Sequence, residues 1–243
     1  MITALLTPLQ VLLEPVGSIP RAVEQRRWLA PMLLVALLTA LAGVAVSSKL
    51  DMARVVLPKL QMAGELGNAT EREVEEAIEQ AQRVAVVVSV ARGVFLTPLW
   101  LLALSVALKL SGWLLGRRAT FVACFTAAAL AMLPVALLHG IELVAALRQD
   151  VLSPKMAEVL VPTSLAALRP GGPPGMARIL GALDVINLWS ALLLGLGFAG
   201  ASKWSPWKGA ALGVFLYALF AGAFLVGVPG LMAGSMGPGM GGG

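Results

Sequence analysis

The chain has 243 residues, of which 58% are apolar and 13% charged, with a mean hydropathy of +0.87. A soluble domain carries about 25% charged residues, so the composition excludes a soluble globule, a disordered chain and a disulfide scaffold. The net charge of +5, from 18 Lys+Arg against 13 Asp+Glu, comes without a basic cluster interleaved with aromatics, and nucleic acid is not an expected partner. A polytopic membrane protein remains, in which basic residues report topology.

At the N-terminus, Leu5, Leu9, Leu12, Leu13 and Val16 recur at helical spacing opposite Thr3, Thr7, Gln10 and Glu14. This predicts a short amphipathic helix lying in the membrane interface, stopped around Pro15 and Gly17. No basic region precedes it and no small-residue cleavage site follows, so a cleaved signal peptide is not expected. A spanning helix needs about 20 mostly apolar residues. Five stretches qualify: about 28–48, 94–115, 119–141, 185–202 and 209–233. The second carries Lys109 near its end, where a lysine can snorkel to the headgroups. Three segments follow: an N-terminal cytoplasmic segment 1–27, a five-helix membrane domain 28–233, and a Gly/Met-rich tail 234–243. The expected fold class is all-α: five transmembrane helices with an N-terminal interfacial amphipathic helix.

Loops 49–93 and 142–184 connect spans on one side. The other side gathers Arg21, Arg26, Arg27, Lys109, Arg117, Arg118, Lys203 and Lys208 in short segments. Basic density in short segments marks the cytoplasm, which places the N-terminus inside and the C-terminus outside.

The first long loop contains Thr70-Glu71-Arg72-Glu73, a capping-box pattern, followed by Val74, Ile78, Ala81, Ala85 and Val88 at helical spacing. An amphipathic helix leading into the second span is expected, with i,i+4 pairs Arg72–Glu76 and Glu79–Arg83. Its acids read as a solvated face at the dipole-favoured end of a helix rather than as a cation site. In the second long loop, Pro154 to Leu168 is expected to form a short interfacial helix, and Arg169 to Gly175, rich in proline and glycine, irregular chain. Met232, Met236 and Met240 suit soft metals, but glycine this dense does not hold them on a helix, and no metal site is expected.

Ionisable groups inside spans are functional candidates by default. His139 and Glu142, at i,i+3 near the end of the third span, are placed to share a proton, or to mark where the helix leaves the lipid. Asp184 reads as a helix cap, and Asn187, one turn in, as a donor across helices. Gly195 with Ala199, Gly209 with Gly213, and Ala218 with Gly222 form small-xxx-small pairs, which let backbones approach in lipid. A tight hairpin of the fourth and fifth spans follows, with self-association through a second such face as an option. Cys124 sits alone in an apolar stretch and cannot form an internal disulfide. With one histidine and no serine near it, no phosphate loop and no H-E-x-x-H motif, neither a catalytic residue nor a cofactor site is assigned.

The layout resembles the YIP domain family, the Ypt/Rab-interacting integral membrane proteins and their bacterial relatives. The resemblance rests on Glu14-Pro15, Ile19-Pro20 and Trp28-Leu29-Ala30-Pro31. It rests further on Asp184-Val185-Ile186-Asn187-Leu188-Trp189, Leu192-Leu193-Leu194-Gly195-Leu196-Gly197 and the basic hairpin Lys203 to Lys208. It implies five spans and a cytoplasmic N-terminus. The long N-terminal region of eukaryotic members, with its Tyr-Gly-Pro element, does not occur here, so a Rab GTPase partner is not expected. Some bacterial relatives accompany ABC exporters as accessory membrane proteins, a role that the resemblance allows. The expected function is therefore a non-enzymatic accessory or assembly factor in a bacterial inner membrane, among membrane lipids and other membrane proteins such as an ABC transporter. The alternative is a small-solute transporter or permease subunit, which needs polar groups converging within the bilayer.

Overall fold

The structure is a computed structural model that describes residues 2–64, 67, 69–158, 160–168 and 173–227. The described residues are overwhelmingly helical and form no strand, only two isolated bridges. Among the described residues, five helical stretches are long and apolar enough to cross a membrane: Leu29–Lys49, Glu71–Leu114, Phe121–Leu147, Val185–Ser202 and Pro206–Phe224. The protein is an all-α, polytopic membrane protein. The end of the expected fifth span, the Gly/Met-rich tail and residues 169–172 lie outside the described residues.

Two helices precede the first span, α1 (Ile2–Leu13) and α2 (Pro15–Glu24). Pro15 therefore does not end the helical region, as expected from sequence, but opens a second helix. Proline has no N–H to lose in a first turn, where that group has no helical partner in any case. Ser18 ties the two helices together: its hydroxyl donates to the carbonyl oxygens of Gln10 and Glu14, at 3.2 and 2.6 Å. The α2 face made of Ser18, Ile19, Ala22 and Val23 is buried.

α3 (Leu29–Lys49) is followed by α4 (Ala53–Met62) and α5 (Glu71–Ala91). Thr70 caps α5 with the expected capping box: its hydroxyl accepts from the Glu73 amide, and its own amide donates to the Glu73 carboxylate at 2.7 Å. The helix continues through a π-helical turn, Arg92–Leu96, into α6 (Thr97–Leu114). Gly116, with φ of +65°, lets the chain turn after α6, and the Arg117 amide donates back to the Gly112 carbonyl at 2.7 Å. Lys109 reaches the Ala119 carbonyl at 2.6 Å and so satisfies the backbone of this short connection.

α7 (Phe121–Ala131) and α8 (Leu133–Leu147) form one apolar stretch with a break at Met132. Between α8 and the fourth span the expected single helix is two pieces, α9 (Pro154–Glu158) and a 3₁₀ turn, Leu165–Leu168. The expected irregular chain gives way at Pro174 to α10 (Pro174–Ala182), again opened by a proline in its first turn. α11 (Val185–Ser202) and α12 (Pro206–Phe220) follow, and a second π-helical turn, Ala221–Gly227, continues α12.

The chain divides into two compact units. The first comprises residues 1–28, 104–134 and 162–243, the second 29–103 and 135–161. In the first, α11 packs on α12, α7 and α2. α7 opens with Phe121 and Val122 exposed and is buried further on, at Cys124 and from Thr126 to Ala131. In the second, α3 lies along α5 and the π-helical turn.

Candidate functional site

The α11–α12 hairpin of the first unit is built by small residues. A β-carbon added at Gly195 would collide with the Gly209 carbonyl, and one at Gly213 with the Ala191 carbonyl. A β-carbon at Gly209 would stand 2.6 Å from the Ala199 methyl. Gly209 and Gly213 thus lie on the seam where two backbones meet. A β-carbon at Gly222 meets nothing within 4 Å, so that glycine belongs to no seam among the described residues. The turn between the helices uses Lys203 at φ of +52°, with the Trp204 amide returning to the Ala199 carbonyl at 2.9 Å. The Trp204 ring meets Phe198 edge-on at 6.2 Å, and the Arg117 guanidinium lies 5.4 Å from its centroid.

Asp184 caps α11. One carboxylate oxygen accepts from the Asn187 amide at 2.9 Å and the other from the Thr163 hydroxyl. The carboxylate is buried and satisfied, which is the arrangement of a structural cap. Asn187 contributes its backbone amide to that cap, and its exposed side chain bonds no described residue across a helix.

The second unit is different. Its α3 and α5 run antiparallel in a register set by serines and glycines. The Ser47 hydroxyl lies 2.9 Å from that of Ser89, and Gln82 donates to the Ser47 carbonyl. A β-carbon at Gly43 would stand 2.9 Å from that of Ser89. A β-carbon at Gly93 would stand 2.6 Å from both the Ala36 carbonyl and the Ala40 methyl. Since α3 has 21 residues and is about 31 Å long, near the thickness of the hydrocarbon layer, this register is also a depth gauge. Gln82 stands level with the end of α3 and Gly93 level with its middle.

Arg92, the first residue of the π-helical turn, therefore lies at the depth of the middle turns of α3. No described acid pairs with its exposed guanidinium. On α8, His139 Nδ1 is 2.7 Å from a Glu142 carboxylate oxygen, with both side chains mostly buried. A cavity of about 170 Å³ is lined by Thr39, Ser89, Arg92, His139 and Glu142. Its apolar walls come from Ala42, Gly43 and Val46 of α3 and from Ala157 and Leu160 beyond α8. Beside it, an open apolar groove of about 410 Å³ runs along α8, with Leu38 of α3 opposite and Arg148 at one end.

The structure thus brings His139 and Glu142 together at a polar cavity, and assigns Asp184, Gly209 and Gly213 to caps and packing. Arg92 was missed from sequence. Its signal is a single arginine inside the apolar run from Val84 to Leu115, hidden when the span is drawn from Val94 onward.

The Yip1 domain family model matches residues 9–228. The chain belongs to the Yip1 domain family. No curated protein and no solved structure matches it. The matched region of this Yip1 domain takes in the hairpin, the Asp184 cap and the polar cavity, and with five apolar helices it is a multi-pass membrane protein.

The cavity offers one fixed cation, one carboxylate, one imidazole and two hydroxyls among its described residues. Such a set orients a small polar ligand by hydrogen bonds and charge. No group of three or more His, Cys, Asp or Glu side chains is placed to hold a metal ion among the described residues.

Proposed function

We propose that this Yip1 domain is a non-enzymatic accessory or assembly factor for other membrane proteins in a bacterial inner membrane, with an ABC exporter as the partner class suggested by the family resemblance. The observation that supports it is the continuous helical stretch Glu71–Leu114, 44 residues long. At 1.5 Å per residue it measures about 66 Å, roughly twice the hydrocarbon thickness. Its first three turns, Glu71 to Gln82, continue past the level of the end of α3, and α5 has no buried residue along its length. This arm touches α4, is otherwise exposed, runs without interruption into a span and presents Glu71 and Glu75, neither of them ion-paired with a described residue. It is a handle by which a second protein engages the membrane domain.

Affinity purification in mild detergent at native expression, followed by mass spectrometry, tests the proposal. A membrane protein retained in stoichiometric amount, and lost when Glu71 and Glu75 are changed to lysine, is the expected result. The chain recovered alone contradicts it, and the mass of the complex also reads self-association.

The proposed topology has the N-terminus in the cytoplasm and the C-terminus outside. A reporter fused after Arg118 then reports the cytoplasm and one fused at Gly243 the opposite side. A cytoplasmic signal at Gly243 requires an even number of crossings. A second reading, a small-solute transporter or permease subunit, is favoured by one observation: ionisable side chains converge on a cavity level with the C-terminal half of α3.

A further inference from the structure

We propose that the cavity of the second unit binds the headgroup of a phospholipid bearing a primary ammonium, of the phosphoethanolamine type. The argument starts from charge. Arg92 is a permanent cation without a described acidic partner, and a guanidinium matches the oxygens of a phosphodiester. Glu142 holds His139 through one oxygen only, at 2.7 Å, and the carboxylate remains partly exposed. Its free oxygen accepts from an ammonium N–H. Thr39 adds a hydroxyl to the same lining, while that of Ser89 donates to the Ala85 carbonyl at 2.8 Å and only lines the wall. An anion at Arg92 and an ammonium at Glu142 are the two ends of a zwitterion.

Size and depth narrow the class. About 170 Å³ holds roughly five water molecules or one small headgroup. The α3 residues lining the cavity run from Thr39, at mid-helix, to Val46, near its end. The cavity therefore lies level with the C-terminal half of α3, within the length of an apolar span. The neighbouring groove supplies what a free solute does not need. Leu137, Ile141 and Val144 are about half exposed along α8, and Gly140 leaves the groove floor open. From Ala136 to Arg148 it extends about 18 Å, the reach of an acyl chain. The groove and the cavity share α3 through Leu38 and Thr39 and α8 through His139 and Gly140. The π-helical turn begins at Arg92, a backbone irregularity of the kind that recurs at functional sites. The inference does not rest on the accessory reading.

The test uses the delipidated full chain in detergent, with melting temperature followed as dihexanoyl-phosphatidylethanolamine, -phosphatidylcholine or -phosphatidylglycerol, or free phosphoethanolamine, is titrated. The ethanolamine lipid is expected to stabilise at a concentration about tenfold lower than the choline or glycerol lipid, since only its ammonium makes a charge-assisted hydrogen bond to Glu142; choline has no N–H, and the glycerol hydroxyls donate without a positive charge. Glu142→Gln is expected to erase that preference while phosphate binding persists. Arg92→Gln is expected to weaken all three lipids about tenfold. Glu142→Gln is nearly isosteric and carries the test alone if Arg92→Gln does not fold. Equal affinity for ethanolamine and choline lipids overturns the proposal, as does a preference that survives Glu142→Gln. Free phosphoethanolamine binding as tightly as the lipid also overturns it and favours a soluble solute at the same site.

Discussion

Between α11 and α12 of the first unit there is no room for a single additional carbon at Gly195, Gly209 or Gly213. Between α3, α5 and α8 of the second unit, ionisable and hydroxyl side chains surround a space of about 170 Å³. Both regions use glycine for close approach, since Gly43 and Gly93 bring α5 and its π-helical turn against α3. What differs is what the approach achieves. In the first unit, close approach substitutes for the lateral hydrophobic drive that lipid does not supply. In the second it fixes a register that carries Arg92 to mid-helix depth, where a charge is costly unless it has a task. Stability resides in the first kind of site and ligand chemistry in the second.

The largest expected effect is at the seam. Gly213→Leu drives a side chain into the Ala191 carbonyl, a backbone atom that cannot swing aside. The cost should reach the upper end of the overpacking range, about 3 kcal/mol, read as a melting temperature lowered by several degrees in detergent. Leu216→Ala, at a partly exposed position of the same helix, should lower it less. Equal losses would remove the seam from the comparison.

A smaller loss is expected at the cap. Asp184→Ala removes the acceptor for the Asn187 amide and strands the Thr163 hydroxyl. The expected cost is about 1–2 kcal/mol. No loss at all would mean that the polar groups of the first unit are as dispensable for stability as those proposed to bind ligand in the second. The smallest effect belongs to the exposed arm. Thr70→Ala breaks the capping box of α5, a local cost of about 1 kcal/mol. Faster amide exchange over Glu71 to Val74 with an unchanged global melting temperature is the expected signature. A global shift would show that the arm is not exposed as described.

Much of this was legible in the sequence, for reasons that are local. Spans are read from apolar length, the Thr70 and Asp184 caps from short spacing, and the hairpin seam from Gly195, Gly209 and Gly213. The prolines show where local reading divides: Pro15 and Pro174 suit a helix start as well as a helix stop, and only their surroundings decide. Arg92 was illegible for another reason. Its depth depends on which residues of α3 meet Ser89 and Gly93, and that register is not written in either segment alone. His139 and Glu142 could be paired from their i,i+3 spacing, but the cavity they line needs α3, the π-helical turn and residues beyond α8.

The claim that the second unit holds a water-accessible polar cavity is tested most directly by thiol labelling of Ser89→Cys, with native Cys124 as the internal reference. Ser89 lines the cavity, whereas Cys124 is fully buried in α7. In the folded protein, a small charged thiol reagent should modify residue 89 within minutes and leave Cys124 untouched until denaturation. Residue 89 as unreactive as Cys124 in the folded state would contradict the account.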